Sequence, residues 1–130
     1  MQGEGARAAP RIAPGGRAEI GVLNDAIVTL IGIPAGGRAN VFTTLARHRK
    51  LFRRWLRFAA ALMPGGRLSR ADTELVILRV AHNAGCAYEW EHHRRLGRLA
   101  GLSEGEIDRV REGPDADGWG PRQRALLAAA

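Results

Sequence analysis

The chain has 130 residues, of which 45% are hydrophobic and 25% are charged, a composition typical of a folded globular domain and not of a disordered segment. Its single cysteine excludes a disulfide-stapled secreted scaffold and predicts a reducing, cytoplasmic location. No apolar run approaches the roughly 20 residues of a membrane span, and the N-terminus lacks the apolar stretch of a signal peptide, so we expect no membrane association.

The formal net charge of +7 comes mainly from arginine, because Lys50 is the only lysine among twenty basic residues. Basic residues cluster between positions 47 and 57, and such a cluster can bind nucleic acid. A run of charges along a helix face is more often solvent-exposed, however, and no recognised nucleic-acid-binding motif accompanies this one. We therefore expect no nucleic-acid partner.

The N-terminal part of the chain predicts an arm followed by a helix. Residues 1–17 are rich in Gly, Ala, Pro and Arg without periodicity, which predicts a flexible arm whose 11–14 portion lies extended across the surface. Apolar residues then recur at helical spacing over 18–33, and Pro34 ends the run. The domain proper is predicted to extend over residues 18–130.

Two further helices are predicted before the middle of the chain. Asn40 is expected to cap the first of them. The second, over residues 51–63, carries a broad apolar face and ends before Pro64. Trp55 and Phe58 are interpreted as packing residues of that face.

The central part of the sequence predicts a pair of helices joined by a short break. Ser69 followed by Asp72 resembles a capping box, and the helix that it opens is apolar nearly all round, which predicts burial; its apolar residues are Leu75, Val76, Leu78 and Val80. Asn83–Ala84–Gly85 breaks the helix, because glycine commonly ends helices in the left-handed conformation. A second helix runs from Cys86 to Ala100 and is closed by Gly101.

The C-terminal part predicts two short helices. Ser103 and Glu106 form a capping box for a helix to about Arg111, and Pro121 occupies the first position of the last helix. Since no segment alternates between polar and apolar residues with period two, the sequence predicts an all-α fold.

The candidate chemistry lies between Glu74 and His93. Cys86, Glu89 and His93 are spaced i, i+3 and i+7, which places them along one helix face. Cys86 lies at the helix N-terminus, where free N–H groups favour a thiolate, and Glu89 can accept a hydrogen bond from His93. An antiparallel return of the chain across the Asn83–Gly85 break would bring Glu74 to the same pocket, and Tyr88 lies beside it.

Simpler interpretations of these residues remain open. A lone cysteine is most often a small buried packing residue, and Glu89 with His93 could be an ordinary surface pair worth a few tenths of a kcal/mol. A mixed Cys–Glu–His metal site is disfavoured, because structural zinc prefers four Cys or His ligands. We therefore expect neither a metal nor another cofactor.

Several segments resemble the carboxymuconolactone decarboxylase family, which includes the AhpD-like alkylhydroperoxidases. The resemblance is carried by ELVILRVAHNAGCAYEWEHH at 74–93 and AGLS at 100–103, and also by PRIAP at 10–14, VFTTLARH at 41–48 and REGPD with Trp119 further on. Together these segments span most of residues 10–130. The resemblance implies an all-α domain with the helix pair 69–84 and 86–100 at its centre, assembled as homotrimers or homohexamers.

The resemblance also implies roles for single residues. AhpD-like members carry a Glu, then Cys-x-x-Cys, then a His; Glu74, Cys86 and His93 fall on the Glu, the first Cys and the His. Glu89 falls on the second cysteine, which attacks peroxide in those enzymes, so the two-cysteine cycle cannot operate here. A one-cysteine cycle would need an external thiol to reduce the sulfenic acid.

Three functions follow as hypotheses, and we favour the first. The first is a peroxidase-type thiol oxidoreductase that acts on a hydroperoxide through Cys86, with Glu74, Glu89 and His93 tuning it. The second is a cofactor-free lyase of carboxylated lactones that uses Glu89, His93 and a cation such as Arg79. The third is a non-catalytic family member.

The relatives implied by this resemblance continue beyond the Ala-Leu-Leu motif near the end of this sequence with at least one more helix. We therefore expect that the sequence is truncated at its C-terminus, which would leave apolar surface exposed.

Overall fold

A computed structural model describes residues 10–34 and 36–130, so the first nine residues of the predicted arm lie outside it. The described residues form helices, turns and loops without a strand, and the prediction of an all-α fold is confirmed. In chain order the helices are α1 (Arg17–Ile20), α2 (Val22–Gly32), α3 (Asn40–Leu45), α4 (Arg49–Leu62), α5 (Arg70–Asn83), α6 (Ala87–Leu99), α7 (Glu104–Arg109) and α8 (Pro121–Ala128).

The chain divides into two compact units, one ending at Leu56 and the other beginning at Arg57, within α4. In the first unit α1 begins at Arg17, where the sequence predicts that the arm ends. The predicted single domain over residues 18–130 stays a prediction. In the described part of the chain no helix combines the length and apolar character that a membrane span needs.

Two helix boundaries of the first unit differ from the sequence prediction. The helix predicted over 18–33 is interrupted at Gly21, whose φ of 83° takes the backbone out of the helix between α1 and α2. Asn40 is the first residue of α3 and does not cap it; Ala39 occupies the cap position without a side-chain hydrogen bond. Both differences are local, because one residue with a non-helical backbone is enough to shift a helix end.

The segment before α1 contacts α3 and the turn that follows it. The extended course of residues 11–14 across the surface stays a prediction. The carbonyl of Ala13 accepts a hydrogen bond of 2.7 Å from the Arg47 guanidinium. The amide of Gly15 donates to the carbonyl of Thr43 at 3.3 Å. Gly15 is required there, since a Cβ would lie 2.5 Å from a methyl group of Ile20.

The three aromatic residues of α4 differ in how far they are buried. Phe52 is completely buried, and the Trp55 ring contacts the Phe42 ring at a centroid distance of 5.9 Å. Phe58, by contrast, is 63% exposed, so its interpretation as a packing residue is wrong. Six residues separate Phe58 from Phe52, which turns its side chain about 120° away around the helix axis.

The second unit is organised around α5 and α6. The Ser69 side chain accepts a hydrogen bond from the Asp72 amide, as predicted, and Gly85 (φ 60°) ends α5 in the left-handed conformation. Glu74 contacts His93, whereas the Cys86 amide reaches back to the carbonyl of Ala81 at the other end of α5. The two helices are therefore antiparallel.

The apolar core of the second unit lies between α5, α6 and the C-terminal helices. Leu75 and Leu78 are buried as predicted, whereas Val76 is only half-buried and Val80 is 47% exposed. The predicted burial of α5 is therefore wrong for part of its apolar surface. The capping box of Ser103 with Glu106 and the position of Pro121 are confirmed. The buried residues of this core are Leu75, Leu78, Ala81, Trp90, Leu102, Ile107, Val110, Trp119 and Leu127.

Replacing Leu78 by alanine should destabilise the protein by about 2–5 kcal/mol, because it opens a cavity in the core. Leu78 is completely buried, whereas Leu99 is 66% exposed, so Leu99→Ala is a matched control that should cost little. Urea denaturation followed by circular dichroism measures both. Equal free energies of unfolding for the two variants would contradict this core.

Stability should fall in acid partly through Asp72. Hydrogen bonds from Arg122, and then from Ser69, hold the pKa of Asp72 below its ordinary value of 3.8 despite partial burial. A lowered folded-state pKa contributes stability that is present above the ordinary value and is lost as the pH falls through the lowered one. Because Arg122 is mostly exposed, we expect Asp72→Asn to cost only about 0.5–1 kcal/mol at neutral pH.

That cost should be smaller in acid than at neutral pH, because the wild-type carboxyl becomes protonated as the pH falls through its lowered pKa. Urea denaturation at the two pH values measures it, and Asp117→Asn, at an exposed loop position, is the control. A difference between wild type and Asp72→Asn that is the same at both pH values would contradict the role of the charge.

Candidate functional site

Glu74 is a completely buried carboxylate on the face of α5 that meets α6. Its Oε2 lies 2.8 Å from Nδ1 of His93, whose side chain is only 12% exposed. The pairing that the antiparallel return predicts is thus present. A buried carboxylate is unfavourable unless it is paired and hydrogen-bonded, so this contact accounts for part of its stabilisation.

Arg70 contacts the other oxygen of Glu74 from one turn earlier on α5. The guanidinium and Oε1 form an ion pair, but they do not have hydrogen-bond geometry. The sequence analysis did not single out Arg70; the signal that could have found it is the i, i+4 spacing of opposite charges. Glu74 is consequently placed between a cation and an imidazole.

Glu89 lies on the outer side of the same imidazole. Its Oε2 is 3.3 Å from Nε2 of His93, and its side chain is 37% exposed. The ring of His93 therefore lies between an inner carboxylate on α5 and an outer carboxylate on α6. Of these three side chains, Glu89 is the most exposed to solvent.

The contacts of the two ring nitrogens assign them different roles. A hydrogen bond at one nitrogen of a histidine fixes which nitrogen carries the proton of the neutral ring. When Nδ1 donates to Glu74, Nε2 is the nitrogen that can take up or release a proton beside Glu89. A proton can then be exchanged at the outer end of the ring while the inner end stays hydrogen-bonded.

Cys86 is near this group in sequence but does not bond to it. It is the N-cap of α6, half-buried, and its carbonyl accepts the first helical hydrogen bond from Trp90. Among the described residues, no hydrogen bond joins its thiol to Glu74, Glu89 or His93. With ψ at 88°, Cys86 lies outside the helix, so helical periodicity does not fix the direction of its side chain.

The two supporting residues of the sequence analysis have different surroundings. Arg79 donates hydrogen bonds to the carbonyls of Val110 (3.0 Å) and Arg111 (3.3 Å), where α7 has ended. Its charge thus satisfies backbone carbonyls and does not contact Glu74 or His93. The ring of Tyr88 is stacked on that of His92, with centroids 6.2 Å apart and planes 11° apart.

His92 is a neighbour of the site that the sequence analysis did not select. Its ring centroid lies 5.4 Å from that of His93, and the two planes meet at 73°. Burial, and then the charge of His93, lowers the pKa of His92 below that of an ordinary histidine, although Glu89 and Glu74 oppose this. No spacing rule on a helix selects adjacent residues, which is why only the folded structure identifies it.

The described residues contain no group of three or more His, Cys, Asp or Glu side chains arranged to hold a metal ion. The alternation of Arg70, Glu74, His93 and Glu89 instead forms a chain of charged and hydrogen-bonding groups. Such a chain can hold a proton and transfer it to a bound molecule.

Comparisons with known proteins identify one family. The model of the carboxymuconolactone decarboxylase family matches residues 49–130, more than half of the chain, including all of α4 to α8. Neither the curated proteins nor the solved structures give a match. Segments 10–14 and 41–48, which also resemble this family, lie outside the matched range. Their resemblance to the family stays a prediction. With its helix pair and the buried Glu74–His93 contact inside the matched segment, the chain belongs to the carboxymuconolactone decarboxylase family.

Proposed function

We propose that the protein is a cofactor-free acid–base enzyme that decarboxylates a small carboxylated lactone. The observation that carries the proposal is the position of His93 between Glu74 and Glu89. Chemistry of this kind needs a positioned proton donor and acceptor and no sulfur nucleophile. The geometry thus favours the second hypothesis of the sequence analysis over the first.

In the proposed reaction, the bond between the substrate carbon and its carboxylate breaks and carbon dioxide leaves. The electron pair passes into the conjugated lactone, and the resulting carbanion must take up one proton. Nε2 of His93 or the carboxyl of Glu89 supplies that proton and is reprotonated from water. Glu74, held by Arg70, stabilises the imidazolium form of His93 during the transfer.

We do not propose Arg79 as the cation that binds the substrate carboxylate. Its guanidinium already bonds to two backbone carbonyls, and removing it from them would leave those acceptors unsatisfied.

A thiol peroxidase that uses Cys86 is the second candidate, because this half-buried cysteine stands at the start of a helix. The thiolate would attack the hydroperoxide, release an alcohol and become a sulfenic acid. One external thiol would then form a mixed disulfide and release water, and a second would restore Cys86 and leave as a disulfide.

The purified protein distinguishes the two candidates. Carbon dioxide release from a set of carboxylated lactones is measured beside peroxide consumption in the presence of dithiothreitol. The proposal expects lactone decarboxylation above the uncatalysed rate and peroxide consumption no faster than that of Cys86→Ser. Peroxide consumption that depends on Cys86, with no lactone turned over, would replace the proposal by the second candidate.

Assembly into homotrimers or homohexamers is proposed on separate grounds. Phe58 and Leu62 are large apolar residues of α4 that the protein leaves mostly exposed, and such a face is commonly buried between subunits. Light scattering at micromolar concentration tests it. A stable monomer would contradict the assembly but not the chemistry of the site.

A further inference from the structure

The rings of Tyr88, His92 and His93 on α6 contact one another in that order, and His93 belongs to the acid–base group. Tyr88 and His92 are one helical turn apart, the spacing at which side chains meet on a helix surface, and their rings are nearly parallel. The centroid of the His92 ring also lies 5.4 Å from that of the His93 ring, and the two ring planes meet at 73°. His92 thus contacts one ring with its face and the other at an angle.

The surroundings of His92 favour its uncharged form. Burial of the ring disfavours a charge there, and a protonated His93 disfavours it further, whereas Glu89 on α6 and Glu74 on α5 act in the opposite sense. Two imidazolium rings at this separation would repel each other. An uncharged His92 lets His93 take up a proton between its two carboxylates without that repulsion.

We propose that His92 is a positioning residue: its ring, stacked on that of Tyr88, holds the ring of His93 in the orientation that joins Glu74 to Glu89. His92 acts through His93 and does not itself exchange a proton with the substrate. The inference rests on the proposed function where turnover is concerned, but the orientation of the His93 ring can be measured without any substrate.

Comparing His92→Phe with His92→Ala shows whether a flat ring at this position is enough for activity. Phenylalanine keeps a flat uncharged ring, so decarboxylation by His92→Phe should stay close to that of wild type. Alanine removes the support, and loss of alignment should lower turnover by about 10-fold or more, since small misplacements of catalytic groups are costly. Circular dichroism checks that both variants are folded, and His92→Leu, which fills the space without a flat ring, replaces His92→Ala if that variant unfolds.

Nuclear magnetic resonance of the His93 ring gives the readout that does not depend on catalysis. We expect one sharp set of ring signals in wild type and in His92→Phe, and broadened or shifted signals in His92→Ala. The pKa of His92 should rise in His93→Gln, because the neighbouring charge is gone. Unchanged His93 signals in His92→Ala would overturn the inference, whereas absent lactone turnover with the expected signals would overturn only the proposed function.

Discussion

Glu89→Gln should lower the rate of lactone decarboxylation by about 10²- to 10⁴-fold, the range typical of a positioned acid or base, while Cys86→Ser should leave it nearly unchanged. Glu89 is the more exposed of the two carboxylates that contact His93, so it is placed to exchange protons with a bound molecule. Glutamine keeps the size of the side chain but cannot take up or release a proton at neutral pH. The rates kcat and kcat/KM, measured at saturating and low substrate, check the prediction.

Glu91→Gln is the matched control, because Glu91 lies on the same helix two residues further on and is exposed. It should have the activity of wild type. Cys86→Ser conserves volume closely, so a large loss in that variant could not be attributed to packing. A Cys86→Ser variant more damaged than Glu89→Gln would reverse the order and support thiol chemistry.

Glu74→Gln should reduce both activity and stability. The amide can donate to Nδ1 of His93, so that the neutral ring carries its proton on Nε2. It also removes the carboxylate that stabilises the imidazolium form from which Nε2 donates. In the serine-protease triad the corresponding change from carboxylate to amide costs about 10⁴-fold through the wrong tautomer. We expect a loss of similar order here.

The stability cost of Glu74→Gln should be about 1–3 kcal/mol, the range for a buried polar group that loses its partner. The cost stays moderate because Arg70 is partly exposed and can turn to solvent. Urea denaturation measures it, with Glu112→Gln at an exposed position as the control. A Glu74→Gln variant as active and as stable as that control would exclude a role for the buried carboxylate.

Features determined by neighbouring residues could be predicted from the sequence. The capping box of Ser103 with Glu106, the end of α5 at Gly85 and the first turn at Pro121 each depend on the backbone of three or four residues. The contact of Glu74 with His93 was also predictable, because a short break between two helices makes them antiparallel and aligns residues at similar distances from it.

Features that depend on the packing of distant elements could not be predicted in this way. Periodicity shows that Phe58 and Val80 are apolar but not which side of the helix another element covers, and both are exposed. The i, i+3, i+7 rule applies only to helical residues. It therefore does not predict the direction of the Cys86 side chain, because the backbone of Cys86 is not helical. The ring contact of His92 with His93 likewise depends on side-chain directions that spacing does not specify.

The protonation of the His93 ring tests the account most directly. Nitrogen-15 chemical shifts of the two ring nitrogens, measured at a pH where the ring is neutral, show which nitrogen carries the proton. The contact of 2.8 Å between Nδ1 and Glu74 predicts a protonated Nδ1 and a bare Nε2 in wild type, and a loss of this preference in Glu74→Gln. A neutral ring protonated at Nε2 in wild type would contradict the donation from Nδ1 to Glu74 on which the account rests.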